Sequence, residues 1–212
     1  MCAEGLGLEQ ERELWAAGYR RLAGVDEVGR GAWAGPVVAA AVILPQRAQV
    51  CSTLSGVRDS KVLTARRRES LCPLIYETAL GVGIGMASAR FIDRCGIVAA
   101  TRQAMAMAVR NLPLRPQCLL IDALRLPDLY IPQRALIDGD AFVLSIAAAS
   151  IVAKVFRDRL MVALGGYYCD YGFAAHKGYG TALHRAALQR LGPCAEHRMS
   201  FAPLRARSSA AC

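Results

Sequence analysis

The stretch LAGVDEVGRGAWAGPVVAAAVIL (residues 22–44) contains two short apolar runs separated by a glycine-rich turn. Short runs rich in valine and bounded by glycine are typical of buried β-strands. We therefore predict strands at residues 22–28 and 35–44. The first run ends in two adjacent carboxylates, Asp26 and Glu27. Like charges at the end of a buried strand need an explanation, because they repel each other and are costly to remove from water.

The rest of the chain alternates between strand and helix patterns. Small and apolar residues predict further strands at 79–87 and 118–124, and a short one around 134–137. Helical spacing and capping residues predict helices at 60–71, 91–111, 141–164 and 181–191, with Thr64 as a cap and Gly165-Gly166 just past the third. This order predicts an α/β layered domain with helices added at its C-terminal end.

The length of 212 residues favours one domain over the whole chain. We expect its core at about residues 18–205, with the C-terminal helical portion at about 165–205. Hydrophobic residues make up 54% of the chain and charged residues 20%, a balance typical of globular proteins. We expect disorder only at the ends, at about 1–7 and 205–212.

Several classes of protein are disfavoured by the sequence. No apolar run reaches the length that spans a bilayer, and the first residues carry acids where a signal peptide would be basic and apolar. The eight cysteines are scattered without a CxxC pair, which favours reduced thiols over a disulfide framework. We expect a cytoplasmic protein with no membrane partner.

The net charge of +9 favours a polyanionic partner such as nucleic acid, although excess charge also serves solubility. Much of the surplus is clustered, and these clusters could form a stripe that faces phosphates. The clustered residues are Arg66, Arg67, Arg68, Arg157, Arg159, Arg198, Arg205 and Arg207.

Three acids, Asp26, Asp122 and Asp140, each lie at or just after the end of a predicted strand. Strand ends are where open α/β sheets build binding clefts, so the three could converge. A single acid in such a place is more often a helix cap or an ion-pair partner, and Asp140 is a good candidate for an N-cap. Asp122 is harder to explain in this way, because it lies within the apolar run CLLIDAL (118–124).

Glu27 presents a geometric difficulty, because neighbouring side chains on an ideal strand point to opposite faces. We expect Asp26 and Glu27 to share a site only if the pleat breaks, and Gly29 and Gly31 make such a break possible. Carboxylates without His or Cys are hard oxygen ligands, which indicates Mg²⁺ or Mn²⁺. Two such ions can bind the attacking and leaving oxygens of a phosphodiester.

A set of motifs spread over residues 22–205 resembles bacterial ribonuclease HII. The motifs are GVDEVGRG-x-x-AGPV from residue 24, DSK (59–61), IDAL (121–124), GD (139–140), AAASIVAKVFRD (147–158), HKGYGT (176–181) and HRMSF-x-P (197–203). The resemblance implies a ribonuclease H-like fold, with a mixed five-stranded sheet flanked by helices. It also implies a four-carboxylate active site formed by Asp26, Glu27, Asp122 and Asp140.

The same resemblance assigns substrate contacts. Gly29, Arg30 and Gly31 match a loop that lies along the substrate backbone at the ribonucleotide, and Tyr179 matches a tyrosine that recognises the RNA–DNA junction. Lys61, in the DSK motif, could contact a phosphate or simply be solvated. The resemblance implies an endonuclease, dependent on Mn²⁺ or Mg²⁺, that cleaves the RNA strand of RNA–DNA hybrids and nicks duplex DNA 5′ of embedded ribonucleotides. We expect it to act as a monomer.

Two other classes of function remain as alternatives. A non-catalytic RNA-binding module would explain the charge but not four acids at strand ends. A nucleotide-binding transferase could use the glycine-rich turn for phosphates, yet the chain has neither GxxxxGK[ST] nor GxGxxG. The sister family, ribonuclease HIII, is disfavoured because only about twenty residues precede the first motif, too few for its N-terminal substrate-binding domain.

Some residues near these motifs have other expected roles. Asp138 stands where family members commonly have Lys, so either Asp138 or Asp140 could be the ligand, and the unbroken alignment of the next helix favours Asp140. We expect Asp158 to form an ion pair and His176 and His197 to pack or to form hydrogen bonds. Trp33 could pack under its loop or touch nucleic acid.

Overall fold

The computed structural model describes residues 6–205, and five strands of this part form one mixed sheet. The strands are β1 (Leu22–Val28), β2 (Val37–Ile43), β3 (Gly81–Ala87), β4 (Cys118–Asp122) and β5 (Gln133–Leu136). Their order in the sheet is β3-β2-β1-β4-β5. The pairs β1–β2 and β2–β3 are antiparallel, whereas β1–β4 and β4–β5 are parallel. All five predicted strands are confirmed, with ends that differ by a few residues.

Helices cover both faces of the sheet. They are α1 (Glu9–Ala16), α2 (Gln49–Thr53), α3 (Ala65–Thr78), α4 (Ala89–Cys95), α5 (Ile97–Arg110), α6 (Leu144–Tyr167), α7 (Phe173–His176) and α8 (Ala182–Leu191). On one face, α6 and α3 pack against alternate residues of β2, such as Ala40 and Val42. On the other face, α5 packs against the intervening residues, such as Ala39 and Ala41. The sheet is therefore buried on both sides, which explains the continuous apolar run of β2.

The helix predictions were correct in kind but not always in their ends. The helix predicted at 60–71 begins only at Ala65, with Thr64 as its N-cap, and it continues through Pro73 because Leu71, Cys72 and Ile75 pack into the core. The helix predicted at 91–111 is two helices, α4 and α5. Gly96 separates them because its φ of 81° is incompatible with a continuous right-handed helix.

The predicted boundaries of the third helix were wrong at both ends. A short 3₁₀ turn, Gly139–Ala141, precedes α6, and the N-cap of α6 is Val143, so Asp140 is not its N-cap. Gly165 and Gly166 lie inside α6 and not beyond it. Gly165 has a packing role, because a Cβ there would lie 3.0 Å from the Ala174 nitrogen.

The sequence patterns missed the short helices α1, α2 and α7. In α1, Glu11 is buried and accepts hydrogen bonds from the backbone nitrogen and Oγ of Ser145, which attaches the helix to the start of α6. Disorder was wrongly expected at residues 6 and 7, since Leu6 is buried and Gly7 forms a β-bridge with Val143. Residues 1–5 and 206–212 lie outside the described residues.

Two further features concern the described part of the chain. Within residues 6–205, Cys72, Cys95, Cys118, Cys169 and Cys194 are free thiols, as the scattered spacing predicted. None of the helices in this part is both long and apolar enough to span a membrane.

Gly24 brings α6 close to the strand that carries the paired acids. A Cβ at Gly24 would lie 2.2 Å from the backbone carbon of Ser145, a distance that real Cβ atoms do not adopt. The obstacle is helix backbone, which cannot rotate away as a side chain could. Gly24 also shares its face of β1 with Asp26, because residues two apart point the same way.

We predict that Gly24→Ala destabilises the protein by about 1–3 kcal/mol, the usual cost of overpacking a core, and displaces α6 from the Asp26 end of β1. Urea denaturation measures the change in the free energy of unfolding. Gly166→Ala is the matched control, because it lies in α6 with nothing within 4 Å of an added Cβ. Equal stability of the two variants would contradict this account of the packing.

Candidate active site

Two acids from neighbouring strands meet at one end of the sheet. The parallel pairing of β1 with β4 runs to Val25 and Ile121, and continuing that register by one residue places Asp26 opposite Asp122. Asp26 is buried, and its Oδ1 accepts a hydrogen bond of 2.7 Å from the backbone nitrogen of Glu27. Asp122 is the last residue of β4, and its Oδ1 accepts a hydrogen bond of 2.8 Å from the backbone nitrogen of Gly139. Both carboxylates are thus held in place by backbone groups.

Glu27 joins these two acids by a different route from the one predicted. Carboxylate oxygens of Asp26, Glu27 and Asp122 lie within 4.8 Å of one another. The pleat does not break, because the pairing of β1 with β2 continues without a gap to Val28 and Val38. Glu27 lies just past the end of β4, so its longer side chain can bend around the edge that β4 leaves open. The expectation that a break was required is wrong.

Asp140 lies next to this group and contacts Lys61. Its side chain is buried, and its Oδ2 accepts a hydrogen bond of 3.0 Å from Lys61 Nζ, which is an ion pair that spans the site. Asp140 does not belong to the group whose oxygens lie within 4.8 Å of one another. Asp138 is exposed, with a left-handed backbone at φ 54°. Of the two, only Asp140 is buried and held by a cation of the cleft.

The glycine-rich loop after β1 is fixed by its surroundings. Gly29 has φ 92°, and a Cβ there would lie 2.2 Å from Arg157 Nε, so this position requires glycine. Gly31 is different: it is not among the positive-φ glycines, and nothing lies within 4 Å of an added Cβ. Of the two glycines that could have allowed a break, Gly29 thus adopts a conformation that favours glycine and Gly31 does not. Arg30 Nη1 lies 3.3 Å from Glu27 Oε1.

Tyr179 lies near this loop, and two cations approach its ring. Lys154 Nζ is 5.6 Å and Arg157 Cζ is 5.4 Å from the centre of its ring. Trp33 packs next to the segment that carries Tyr179, with its ring 5.5 Å from that of His184 and against Gly180. The structure therefore favours the packing role for Trp33. Asp158, as expected, forms an ion pair of 2.8 Å with Lys154.

Seven of the predicted site residues line a common cleft of about 390 Å³, whereas Gly31 and Asp140 do not line it. It contains Asp26, Glu27, Gly29, Arg30, Lys61, Asp122 and Tyr179 of the predicted site, together with Val28, Ser60, Ser150 and Lys154. Sequence reasoning missed Ser60, Ser150 and Lys154. A signal was present for two of them, because Ser150 and Lys154 are polar residues one helical turn apart in the largely apolar first half of α6. A larger groove of about 710 Å³, near Met86 and Phe91, contains none of the predicted site residues.

The pKa of each of the three carboxylates is raised. Burial is the main cause for each, and the charge of Glu27 further raises the pKa of Asp26 well above its usual range. The charge of Asp122 raises the pKa of Glu27, an effect that Arg30 opposes. Burial and the charge of Asp140 raise the pKa of Asp122, while the Gly139 nitrogen opposes them. Shifts of this kind mark a site that favours bound protons or cations.

The sequence of the chain is similar to those of known proteins. The family model for ribonuclease HII matches residues 23–204, which include every acid of the site. The chain belongs to the ribonuclease HII family. Among curated relatives, ribonuclease HII of Roseiflexus castenholzii is 56% identical over 93% of this chain and 88% of its own length. Ribonuclease HII of Chloroflexus aurantiacus is 53% identical over 93% of both chains.

Solved structures of the ribonuclease H class confirm the fold. Ribonuclease H2 from Pyrococcus horikoshii has a TM-score of 0.75 at 24% identity, with 90% of this chain and 98% of that chain covered. The ribonuclease HII of a PCNA complex from Archaeoglobus fulgidus has a TM-score of 0.73 at 26% identity, with 85% and 95% covered. The expected mixed five-stranded sheet with flanking helices is therefore correct.

Membership of the ribonuclease HII family establishes the type of enzyme. The chain is a hydrolase of the ribonuclease H type, an endonuclease, and its family depends on divalent metal ions. The residues fit such an ion on structural grounds alone. Glu27 Oε2 is buried without a hydrogen-bond partner among the described residues. A buried carboxylate oxygen left unpaired is costly, and a cation would satisfy it.

We predict that Asp26→Asn stabilises the metal-free protein, because it removes one of three mutually repelling charges and keeps the oxygen that accepts the Glu27 hydrogen bond. The melting temperature should rise by a few degrees, which corresponds to about 1 kcal/mol for a chain of this size. Mg²⁺ should raise the melting temperature of the wild type more than that of the variant, because it binds only the folded state. Differential scanning calorimetry measures both effects.

The pH dependence of this difference has a definite sign. Because the folded-state pKa of Asp26 is raised, the folded protein binds a proton at a higher pH than the unfolded chain does. The wild type therefore gains stability as the pH falls through that raised pKa, and the advantage of the variant shrinks. An advantage that grew on acidification would contradict the assignment.

Proposed function

We propose that this enzyme hydrolyses the RNA strand of RNA–DNA hybrids and nicks duplex DNA on the 5′ side of embedded ribonucleotides. We further propose that Asp26, Glu27, Asp122 and Asp140 hold its Mg²⁺ or Mn²⁺. The observation that carries this proposal is the approach of three carboxylates, from two strands, to within 4.8 Å of one another in an open cleft. Oxygen-only ligands favour these hard cations over zinc.

The chain's own groups hold the carboxylates ready for this task. Backbone nitrogens fix Asp26 and Asp122, so neither has to be reoriented when substrate arrives. The four carboxylates would hold the divalent cations, and cations bound there would supply the charge that activates a water molecule and stabilises the leaving 3′ oxygen. Lys61 neutralises Asp140, and its pKa is raised because the hydrogen bond and charge of Asp140 outweigh its partial desolvation. Lys61 thus remains charged and is available to a substrate phosphate.

Substrate recognition is proposed for the loop Gly29-Arg30-Gly31 and for Tyr179. Gly29 allows the backbone of the loop to approach the sugar closely, and backbone amides and carbonyls can serve a 2′-hydroxyl as donor and acceptor. Arg30 and Gly31 continue this loop along the substrate strand. Tyr179 would offer a flat face and a phenol at the junction between ribonucleotide and DNA. The 2′-hydroxyl is the group that distinguishes every ribonucleotide from DNA.

We also propose the setting in which the enzyme acts. The chain would work as a monomer, with residues 1–212 forming one catalytic domain, in the cytoplasm where bacterial DNA lies. The net charge of +9 supports binding to a nucleic-acid duplex. Of the arginine triplet, Arg68 donates hydrogen bonds to the carbonyls of Ser60 and Leu63 and so supports the Lys61 loop. Arg66 and Arg67 are the exposed members.

We predict that Asp122→Asn abolishes cleavage, by a factor of roughly a thousand or more, because it removes a metal-binding charge that no neighbour can replace. The substrate is a DNA duplex with one ribonucleotide, and the product ends are identified on a sequencing gel. Asp158→Asn is the matched control, since Asp158 pairs with Lys154 and does not belong to the carboxylate group.

The same assay distinguishes this function from a binding module. Chelation of divalent ions should stop cleavage by the wild type, and a 2′-O-methyl ribonucleotide should resist it. Hybrid binding that continues unchanged, with no cleavage under any metal condition, would identify a binding module instead. Near-normal Mg²⁺-dependent cleavage by Asp122→Asn would show that the metal site is misassigned.

We predict that Tyr179→Ala reduces cleavage at a single embedded ribonucleotide by roughly ten- to hundredfold, the loss expected when a positioning contact is removed. Tyr179→Phe should largely spare substrate binding, because the ring between Lys154 and Arg157 remains. Steady-state rates with the single-ribonucleotide duplex measure the effect. A stable, fully active Tyr179→Ala enzyme would refute the role of this side chain.

A further inference from the structure

All three histidines of the chain lie in one buried cluster behind Tyr179. The rings of His176 and His184 stack with their centres 4.2 Å apart and their planes 11° from parallel. His184 Nε2 lies 2.9 Å from His197 Nε2. Phe173 packs against all three rings, at 5.6–5.9 Å between centres. The cluster has no part in the metal site, so its position needs a separate explanation.

Backbone partners determine which ring nitrogen carries the proton. The Cys194 nitrogen donates to His197 Nδ1 at 2.9 Å, so His197 carries its proton on Nε2. The Tyr179 carbonyl can only accept, so His184 must donate to it from Nδ1, at 3.0 Å. His184 Nε2 is then free to accept from His197. The result is a one-directional chain of hydrogen bonds, from Cys194 through His197 and His184 to Tyr179.

His176 is fixed in the same way. The Gly178 nitrogen donates to His176 Nδ1 at 3.1 Å, and His176 Nε2 donates to the Tyr171 carbonyl at 2.7 Å. Every ring nitrogen of the three histidines thus has a partner, and each ring accepts one bond at an unprotonated nitrogen, which requires a neutral ring. A proton added to an accepting ring nitrogen would place its N–H group against the N–H group of the partner. Burial, the largest cause, lowers the pKa of His184 and of His197 to about 4, so the chain is intact at neutral pH.

The partners of the cluster are concentrated on the segment that carries Tyr179. His184 donates to the Tyr179 carbonyl, and His176 accepts from the Gly178 nitrogen. The Tyr179 nitrogen donates to the His176 carbonyl at 2.9 Å. The Gly178 carbonyl in turn accepts from the Trp33 nitrogen at 2.8 Å. The histidines therefore hold Tyr179 by its backbone and join it to the loop that follows Gly29-Arg30-Gly31.

We propose that His184, His197 and His176 are positioning residues that fix Tyr179 in the cleft, and that cleavage at a single embedded ribonucleotide depends on the hydrogen bond from His184 to the Tyr179 carbonyl. The inference rests on the proposed role of Tyr179. A continuous RNA–DNA hybrid offers a ribonucleotide in every register, so its cleavage depends less on recognition of the junction. Loss of the bond to the Tyr179 carbonyl should therefore lower the ratio of single-ribonucleotide cleavage to hybrid cleavage, and not both rates equally.

Two substitutions at one position test this directly. In His184→Asn the amide nitrogen can take the place of Nδ1 and keep the bond to the Tyr179 carbonyl. In His184→Gln the amide reaches the place of Nε2 and keeps the contact with His197 instead. We expect the ratio to stay within about twofold of the wild type for His184→Asn. For His184→Gln we expect it to fall roughly tenfold or more, as a displaced contact group would cause.

Two further variants separate positioning from stability. Tyr171→Phe is the matched control, because it removes a hydrogen bond of 2.9 Å to the Gly192 carbonyl from the same cluster and leaves the histidine chain intact. It should lower the melting temperature without changing the ratio. The double variant Tyr179→Ala/His184→Gln should show no lower ratio than Tyr179→Ala alone, because coupled residues are not additive.

Several outcomes would overturn the inference. Equal ratios for His184→Asn and His184→Gln, or an additive double variant, would show that the histidines only stabilise the fold. If His184→Gln does not fold, ¹⁵N NMR of the wild-type histidines decides, since a proton on His184 Nε2 excludes the bond to Tyr179. An unchanged ratio for Tyr179→Ala would instead refute the role of Tyr179. Absence of cleavage by the wild type would refute the proposed function itself.

Discussion

Two buried guanidinium groups hold together the segments on which the cleft depends. Arg157 and Arg198 are fully buried, and neither forms an ion pair with a carboxylate in the described part of the chain. Their donors point instead at backbone carbonyls: Arg157 bonds Ala34, Pro36 and Lys177, and Arg198 bonds Arg30 and Gly35. Burial and the neighbouring Arg157 lower the pKa of Arg198 to about 9, a shift that measures how costly this burial is. The cost is offset because an irregular loop would otherwise leave its carbonyls unpaired away from water. The planar fork of arginine suits this task better than lysine, since it can bond several carbonyls in fixed directions.

The carboxylates impose the opposite constraint at the floor of the cleft. Three acids lie within 4.8 Å of one another, and burial raises the pKa of each, so their arrangement is unfavourable until a cation is bound. They are held there by contacts that do not depend on the cation: pairing of β1 with β2, the Gly139 nitrogen on Asp122, and Arg30 on Glu27. A site strained in this way favours tight binding of divalent metal, because binding relieves repulsion that folding has already imposed. The rigid sheet supplies the strain, and the glycine that brings α6 against β1 keeps it in place.

Sequence patterns predicted the parts of this structure that depend on local order. The five strands, the cap at Thr64 and the acids at strand ends follow from periodicity and from residue chemistry over short windows.

What the patterns could not predict comes from contacts between distant segments. The bond from Arg198 to the Arg30 carbonyl joins residues 168 positions apart, and that from Lys61 to Asp140 joins residues 79 apart. Likewise, the approach of Glu27 to Asp122 depends on where β4 stops pairing, which no pattern within β1 reveals. Gly29 and Gly31 belong to one motif, but of the two only Gly29 has a positive φ and faces Arg157, so a shared motif did not imply a shared conformation.

The carboxylate floor of the cleft and the segment that carries Tyr179 therefore differ in how they are built. The carboxylates stand on paired strands whose position is fixed by sheet hydrogen bonds and by apolar packing on both faces. Tyr179 stands on a short irregular segment between α7 and α8, where the Gly178 nitrogen bonds a histidine ring and the Tyr179 carbonyl accepts from another. There, side chains must satisfy the backbone, and neutral histidines can do so because each ring offers one donor and one acceptor. Arginines could not replace them, since a guanidinium has no acceptor for the nitrogens of Gly178 and Cys194. The chemistry of the backbone groups left unpaired at each place thus explains why cations secure the loop after β1 and neutral rings secure the segment that carries Tyr179.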